Sequence, residues 1–174
     1  MNMSAAARRF ALTAHVTTSV GWLGAVSGFL VLAISGLTNH DAQTVRAVYL
    51  AMGLLGWHLI VPLSFASLLS GVVQALGTPW GLFRHYWVLI KLLITPLATL
   101  VLLLHMQPIQ QLAEVARHSS MSHADLSEMR VQIVVDAAAG AFVLFVATAL
   151  SVYKPRGLTP YGQRRSFRET AGAT

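Results

Sequence analysis

Long apolar runs separated by short polar connections organise the chain. Four runs stand out, from about Phe10 to Leu37, Val45 to Leu76, Tyr86 to Met106 and Val131 to Tyr153. Each reaches or exceeds the roughly 20 residues that a helix needs to cross a hydrocarbon core of about 30 Å. The runs are continuous rather than alternating, which favours helices, whose backbone groups pair internally, over the strands of a barrel. The pattern predicts an all-α chain: one integral-membrane domain over residues 1–174, a bundle of four transmembrane helices at about 10–37, 45–76, 86–106 and 131–153.

The connections are short except for one. TNHDAQ joins the first two runs and LGTPWGLFR the next two, while 107–130 forms a longer outer loop in which QQLAEVAR predicts a short helix of its own. Ser122, with Asp125 three residues on, resembles a capping box opening the fourth helix. Pro155 and Gly157 end that helix and predict an irregular basic tail over 154–174. The first run is too long for a signal peptide and lacks an A-x-A site, so it is expected to stay in the mature protein.

Composition sharpens the class. With 55% apolar and 10% charged residues, the chain has too little polar surface to cover a soluble domain. The absence of cysteine excludes disulfides, thiolate metal sites and thiol catalysis. The basic residues are unevenly spread. Arg8, Arg9, Arg84, Lys154, Arg156, Arg164, Arg165 and Arg168 fall on one side of the bundle; Arg46, Arg117 and Arg130 fall on the other, with Asp41, Glu114, Asp125 and Glu128. The positive-inside rule then puts both termini in the cytoplasm and the protein in the cell's inner (plasma) membrane. The tail can lie against anionic lipid, and a short basic flank after a spanning helix is a topology signal, so no nucleic-acid partner is expected.

Within the helices, Gly21, Gly24 and Gly28, the pair Ser67 and Gly71, and AAAGA from Ala137 to Ala141 make thin faces. Such faces allow close helix packing, a homo-oligomer, or room for a flat ligand. The residues able to ionise inside the bilayer are more telling, because a charge at its centre costs about 2.5–3.5 kcal/mol even on the mildest scale and must face the interior. At ~1.5 Å rise per residue they sort into two layers, an outer one of His58, His105 and Asp136 and an inner one of His15, Lys91 and His85. Lys91, Thr95, Ala98 and His105 share one stripe of the third helix, so a single face serves both layers. Pro62 and Pro96 predict bends beside these polar residues. His40, His118 and His123 read as solvated loop residues, and Trp80, Tyr86 and Trp87 as aromatic-belt anchors.

The segments AHVTTSVGWLGAV, GTPWGLFRHYWVLIKLLIT with VLLLHMQP, and ALSVYKPRGLTPYG resemble a bacterial family of small four-helix integral-membrane proteins of uncharacterised function, over nearly the whole chain. More loosely, the spacing of His15, Trp22 and Gly24 is similar to the first helix of copper-resistance-D-like proteins and small b-type membrane cytochromes.

Three functions follow as expectations. The first is haem b binding with electron transfer. Histidines at one depth on neighbouring helices suit a bis-imidazole iron, so His58 and His105 would be the ligands, with His15 and His85 for a second haem. Lys91 and Arg84 would pair with propionates, or Lys91 with a quinone oxygen, and the partner would be a membrane redox protein or a quinone. The second is copper or other metal handling by His58, His105, Asp136 and Met106. The third is a non-enzymatic assembly or partner subunit. No hydrolase triad, phosphate loop or zinc-protease motif is present.

The charge asymmetry makes the topology testable. Cysteines introduced at Thr38 and Ser119 should react in intact cells with an impermeant thiol reagent, and one at Thr170 should not; labelling at Thr170 would reverse the orientation.

Overall fold

The structure, a computed structural model, describes residues 3–77, 82–117, 127–155 and 157–164. Its helices are α1 (Ala5–Thr38), α2 (Ala42–Leu55), a π-helical turn (Gly56–Ile60), α3 (Val61–Gly77), α4 (Tyr86–Arg117) and α5 (Ser127–Tyr153). Because α2, the π turn and α3 run on without a break, the chain has four helices long and apolar enough to cross a membrane: Ala5–Thr38, Ala42–Gly77, Tyr86–Arg117 and Ser127–Tyr153.

Local chemistry sets the ends. Asp41 caps α2, its Oδ2 accepting from the Thr44 backbone N–H at 2.9 Å and from the Thr44 hydroxyl at 2.6 Å. The helix therefore opens at Ala42, three residues ahead of the apolar run. The Thr44 hydroxyl, followed by its backbone N–H, holds the Asp41 carboxyl below the usual carboxylate range. The π turn precedes Pro62, with the Val61 N–H reaching the carbonyl of Gly56 five residues back. Pro62 brings no N–H, so the ladder loses a bond in this region, and the wider turn sits where the sequence predicts a bend.

The outer end of α4 differs from the expected loop. Instead of stopping near Met106, α4 runs through Pro108 to Arg117, and QQLAEVAR is its last part rather than a separate helix. A proline inside a helix costs about 3 kcal/mol. The extension buries Ile109, Leu112 and Ala116 in one cluster with Val45, Val48, Tyr49 and Met52 of α2. Large aliphatic side chains contribute about 1.5–3 kcal/mol each where the alternative is water, enough to offset the proline. Arg46 on α2 completes the join by donating from Nη2 to the Arg117 carbonyl at 2.8 Å, a cation on an exposed helix C-terminus. At the other side of the loop α5 starts at Ser127, ahead of Val131. Ser122 and Asp125, expected as a capping box, lie outside the described residues, as do His118, His123 and Trp80.

The tail also differs from expectation. Thr159 is buried, its N–H donates to the Arg84 carbonyl at 3.0 Å and its hydroxyl donates to the carbonyl of Phe83. Residues 160–164 then form a helical turn, with the Gly162 N–H donating to the Thr159 hydroxyl at 3.1 Å. A side chain at Gly162 would collide with the Arg84 carbonyl oxygen, so this docking requires glycine.

α1 packs on α3, α5 and α2, while α4 packs on α2, α3 and α5. Two glycines permit the closest approaches in the core. A Cβ at Gly36 would lie 2.9 Å from Cζ of the buried Tyr49, and one at Gly56 would lie 2.6 Å from Cε of the buried Met106. Gly24 and Gly28 do something else than the expected helix packing: both are exposed, and a Cβ at either meets none of the described residues within 4 Å.

Substitution separates the two kinds of glycine. Gly36→Ala should lower thermal stability in detergent by about 1–3 kcal/mol through overpacking against Tyr49. Gly28→Ala should be neutral or stabilising by up to about 1 kcal/mol, since alanine is the better helix former. Equal effects at both positions would contradict this packing.

Candidate functional site

The polar residues of the spans gather around two cavities, one in each half of the bundle. The inner cavity, of about 360 Å³, is lined by α1, α3, α4 and α5. Its basis is a hydroxyl-rich seam between α1 and α3. Ser19 Oγ lies 2.8 Å from Ser67 Oγ, and His15 Nδ1 lies 3.2 Å from both the Ser67 carbonyl oxygen and Ser70 Oγ. A carbonyl can only accept, so Nδ1 carries the hydrogen and the Nε2 lone pair of His15 is left available. Nε2 has no hydrogen-bond partner among the described residues. The ring lies over Gly71, where a Cβ would come within 2.9 Å of its Cε1. The Ser67 and Gly71 pair thus serves the imidazole as well as the helix approach.

Lys91 enters the same cavity from α4. Its Nζ donates to Ser151 Oγ at 2.6 Å, and Ser151 in turn donates to the Ala147 carbonyl at 2.9 Å. The ammonium therefore has a partner on α5, and two of its three hydrogens remain to be given. His15, Ser19, Gln74, Lys91, Thr95 and Ser151 all line this space, and among the described residues no carboxylate does. A cationic group and a hydroxyl-rich wall without a fixed counter-charge favour an anionic or strongly accepting ligand. His85 is placed elsewhere. It forms an isolated bridge with Leu158, its ring is 6.3 Å from that of Trp87, and neither it nor Arg84 lines the cavity.

The outer cavity, of about 400 Å³, lies among α1, α4 and α5 beneath the π turn. Its walls are aliphatic and aromatic apart from Trp22, His105 and Asp136. His105 Nδ1 donates to the Val101 carbonyl at 2.8 Å, and its Nε2 approaches Asp136 Oδ2 to 3.0 Å across the α4–α5 seam. Asp136 Oδ1 accepts from Gln132 Nε2 at 2.9 Å, while Oδ2 is buried and not aligned for a full hydrogen bond. Trp22 is 3% exposed and its Nε1–H has no hydrogen-bond partner among the described residues.

Among the expected ligands, then, the structure brings His105, Asp136 and Met106 to the outer cavity but not His58. His58 lies in the π turn, is exposed, and donates from Nδ1 to the Leu54 carbonyl at 3.1 Å. Depth along a helix is readable from residue rise, whereas direction around it depends on an unbroken 100° step. The π turn holding His58 interrupts that step. Among the described residues no group of three or more His, Asp or Glu side chains is arranged to hold a metal.

Two residues escaped the sequence reading. Arg130, expected as an outer-loop charge, is 7% exposed and sits with its guanidinium carbon 5.5 Å from the Tyr49 ring centroid. Ser151, the partner of Lys91, carries no signal in sequence beyond its place on the fourth run.

The His105–Asp136 contact has a measurable consequence. Asp136→Ala should cost about 1–3 kcal/mol of thermal stability by leaving His105 Nε2 without its partner in an apolar wall. Gln132→Ala, at an exposed position, should cost under about 0.5 kcal/mol. Identical melting of Asp136→Ala and the parent protein would mean that the couple does not form.

No family model, curated protein or solved structure matches the chain, so its function has to be drawn from these two cavities.

Proposed function

We propose that the protein binds haem b within the plasma membrane and serves electron transfer, with the inner cavity as the haem site and His15 as an iron ligand. The observation that carries this reading is the orientation of His15. Its Nδ1–H is held by the Ser67 carbonyl, which leaves Nε2 unengaged in a cavity that Lys91 shares. Metal-binding imidazoles are typically fixed in this way, with the second nitrogen donating to a carbonyl. Lys91 supplies a cation for a propionate, and Thr95, Thr148 and Ser151 supply further hydroxyls. Leu12, Val16, Leu68, Val72 and Leu92 give the apolar contacts a porphyrin face requires. The volume falls in the roughly 300–1,000 Å³ range of cofactor sites. When bound, haem supplies one-electron chemistry at its iron, and the chain's part is to hold it, neutralise its carboxylates and keep it inside the bilayer.

This reading moves the ligand role from His58 and His105 to His15. His58 faces away from the outer cavity, and His105 Nε2 is turned to Asp136. The similarity of the His15, Trp22 and Gly24 spacing to small b-type cytochromes points the same way.

An absorption spectrum of the detergent-purified protein is the direct test, with a Soret band that shifts on dithionite reduction as the expected result. His15→Ala should remove most of the haem. Gly71→Val, which drives a side chain into the imidazole, should remove much of it, and His58→Ala should leave it unchanged. Absence of haem after expression with added haem precursor, or full haem content in His15→Ala, would sink the proposal.

A further inference from the structure

The outer cavity needs a different occupant, because the polar groups that line it, Trp22, His105 and Asp136 among the described residues, differ in kind from those of the inner one. We infer that it binds the ring of a lipid-soluble quinone or quinol that enters from the bilayer between α4 and α5.

Access comes first. Leu97, Val101 and Phe142 line this cavity and are also 60%, 42% and 68% exposed on the outside of the bundle. Residues that belong both to the cavity wall and to the lipid-facing surface mark a lateral mouth on the α4–α5 seam, so an entering molecule has to be soluble in lipid. The remaining wall is aliphatic and aromatic, with Val26, Phe29, Ile94 and Ala98 as examples, which suits a flat apolar ring better than a charged headgroup.

Polar chemistry then narrows the class. Trp22 places an unpartnered N–H donor in the wall, and a buried donor of this kind is costly until an acceptor reaches it. On the opposing helices the His105–Asp136 couple contains one exchangeable proton, for the following reason. Nδ1 must keep its hydrogen for the Val101 carbonyl, so a 3.0 Å approach of Nε2 to Oδ2 would set lone pair against lone pair unless one further proton lies on either atom. With that hydrogen between them the pair presents a donor to a carbonyl oxygen and an acceptor to a hydroxyl. A ligand with an oxygen acceptor for Trp22 and a second oxygen that is a carbonyl in one state and a hydroxyl in the other satisfies both features. Quinones and quinols have this chemistry. The inference concerns binding of either form, and it stands apart from the haem reading because it uses a different cavity and different residues.

The test is isothermal titration of the full-length protein in lipid nanodiscs with decyl-ubiquinone, referenced to empty nanodiscs, with decylbenzene as the oxygen-free comparison. Saturable binding of the quinone at one site per chain is expected, with none for decylbenzene. Trp22→Phe and Asp136→Asn should each weaken it by roughly 5- to 30-fold, the effect of losing one hydrogen bond in an apolar wall. Ala139→Phe alters no polar group but fills the cavity mouth, and should abolish binding; it decides the matter if Asp136→Asn fails to fold. Equal binding of decylbenzene would make the cavity a lipid pocket, and unchanged quinone affinity in folded Trp22→Phe and Ala139→Phe proteins would overturn the site. His15→Ala should lower haem content without moving quinone affinity, so failure of one reading can be told from failure of the other.

Discussion

In a hydrocarbon surrounding, a polar side chain without a partner is expensive, and the seam between α1 and α3 shows how this protein meets that constraint. His15, Thr18 and Ser19 on one helix face Ser67 and Ser70 on the other, and the Thr18 and Ser70 hydroxyls also back-bond to the carbonyls of Ala14 and Ala66 in their own helices. Interhelical bonds of this type contribute about 0.6–2 kcal/mol each, so energy alone is not the main result. Register is. Sliding α1 by one residue against α3 would leave several of these groups unpaired and would drive the His15 ring off Gly71, the position where a Cβ would meet it at 2.9 Å. The inner cavity inherits its geometry from that register.

The outer half is held by a different force. Here Gly36 admits Tyr49 and Gly56 admits Met106, so α1 approaches α2 and the π turn approaches α4 through shape complementarity rather than hydrogen bonds. Such packing leaves some polar atoms without an aligned partner among the described residues: Trp22 Nε1, and Asp136 Oδ2, which His105 Nε2 approaches to 3.0 Å without a full hydrogen bond. α4 connects the two halves. Lys91 and Thr95 open into the inner cavity and Ala98 and His105 into the outer, from one face of a single helix. A ligand in either space is thus positioned by the same rigid element.

The two ends of the bundle are fastened differently. Arg46 on α2 closes the end of α4 at the Arg117 carbonyl, and Arg130 of α5 lies over the Tyr49 ring. At the opposite end Thr159 and Gly162 clamp the segment after α5 onto Phe83 and Arg84, at the entrance to α4. Basic residues that look alike as topology signals in the sequence therefore have distinct structural work.

The sequence by itself determined the four apolar helices, because hydrocarbon thickness and backbone hydrogen bonding leave few other solutions for runs of this length. Residue rise grouped His58, His105 and Asp136 in one layer and His15, Lys91 and His85 in another; His105 shares a cavity with Asp136 and His15 with Lys91, while His58 and His85 line neither. Direction was out of its reach. Whether His58 faces a ligand or the lipid depends on a π turn whose extra residue breaks the angular count. Whether Gly24 and Gly28 touch a neighbour, whether Pro108 stops α4, and whether Lys91 finds a serine or a headgroup depend on side chains far away in the chain. These are contacts between helices, and a local pattern contains the period of one helix but not the rotation and offset of the helix beside it.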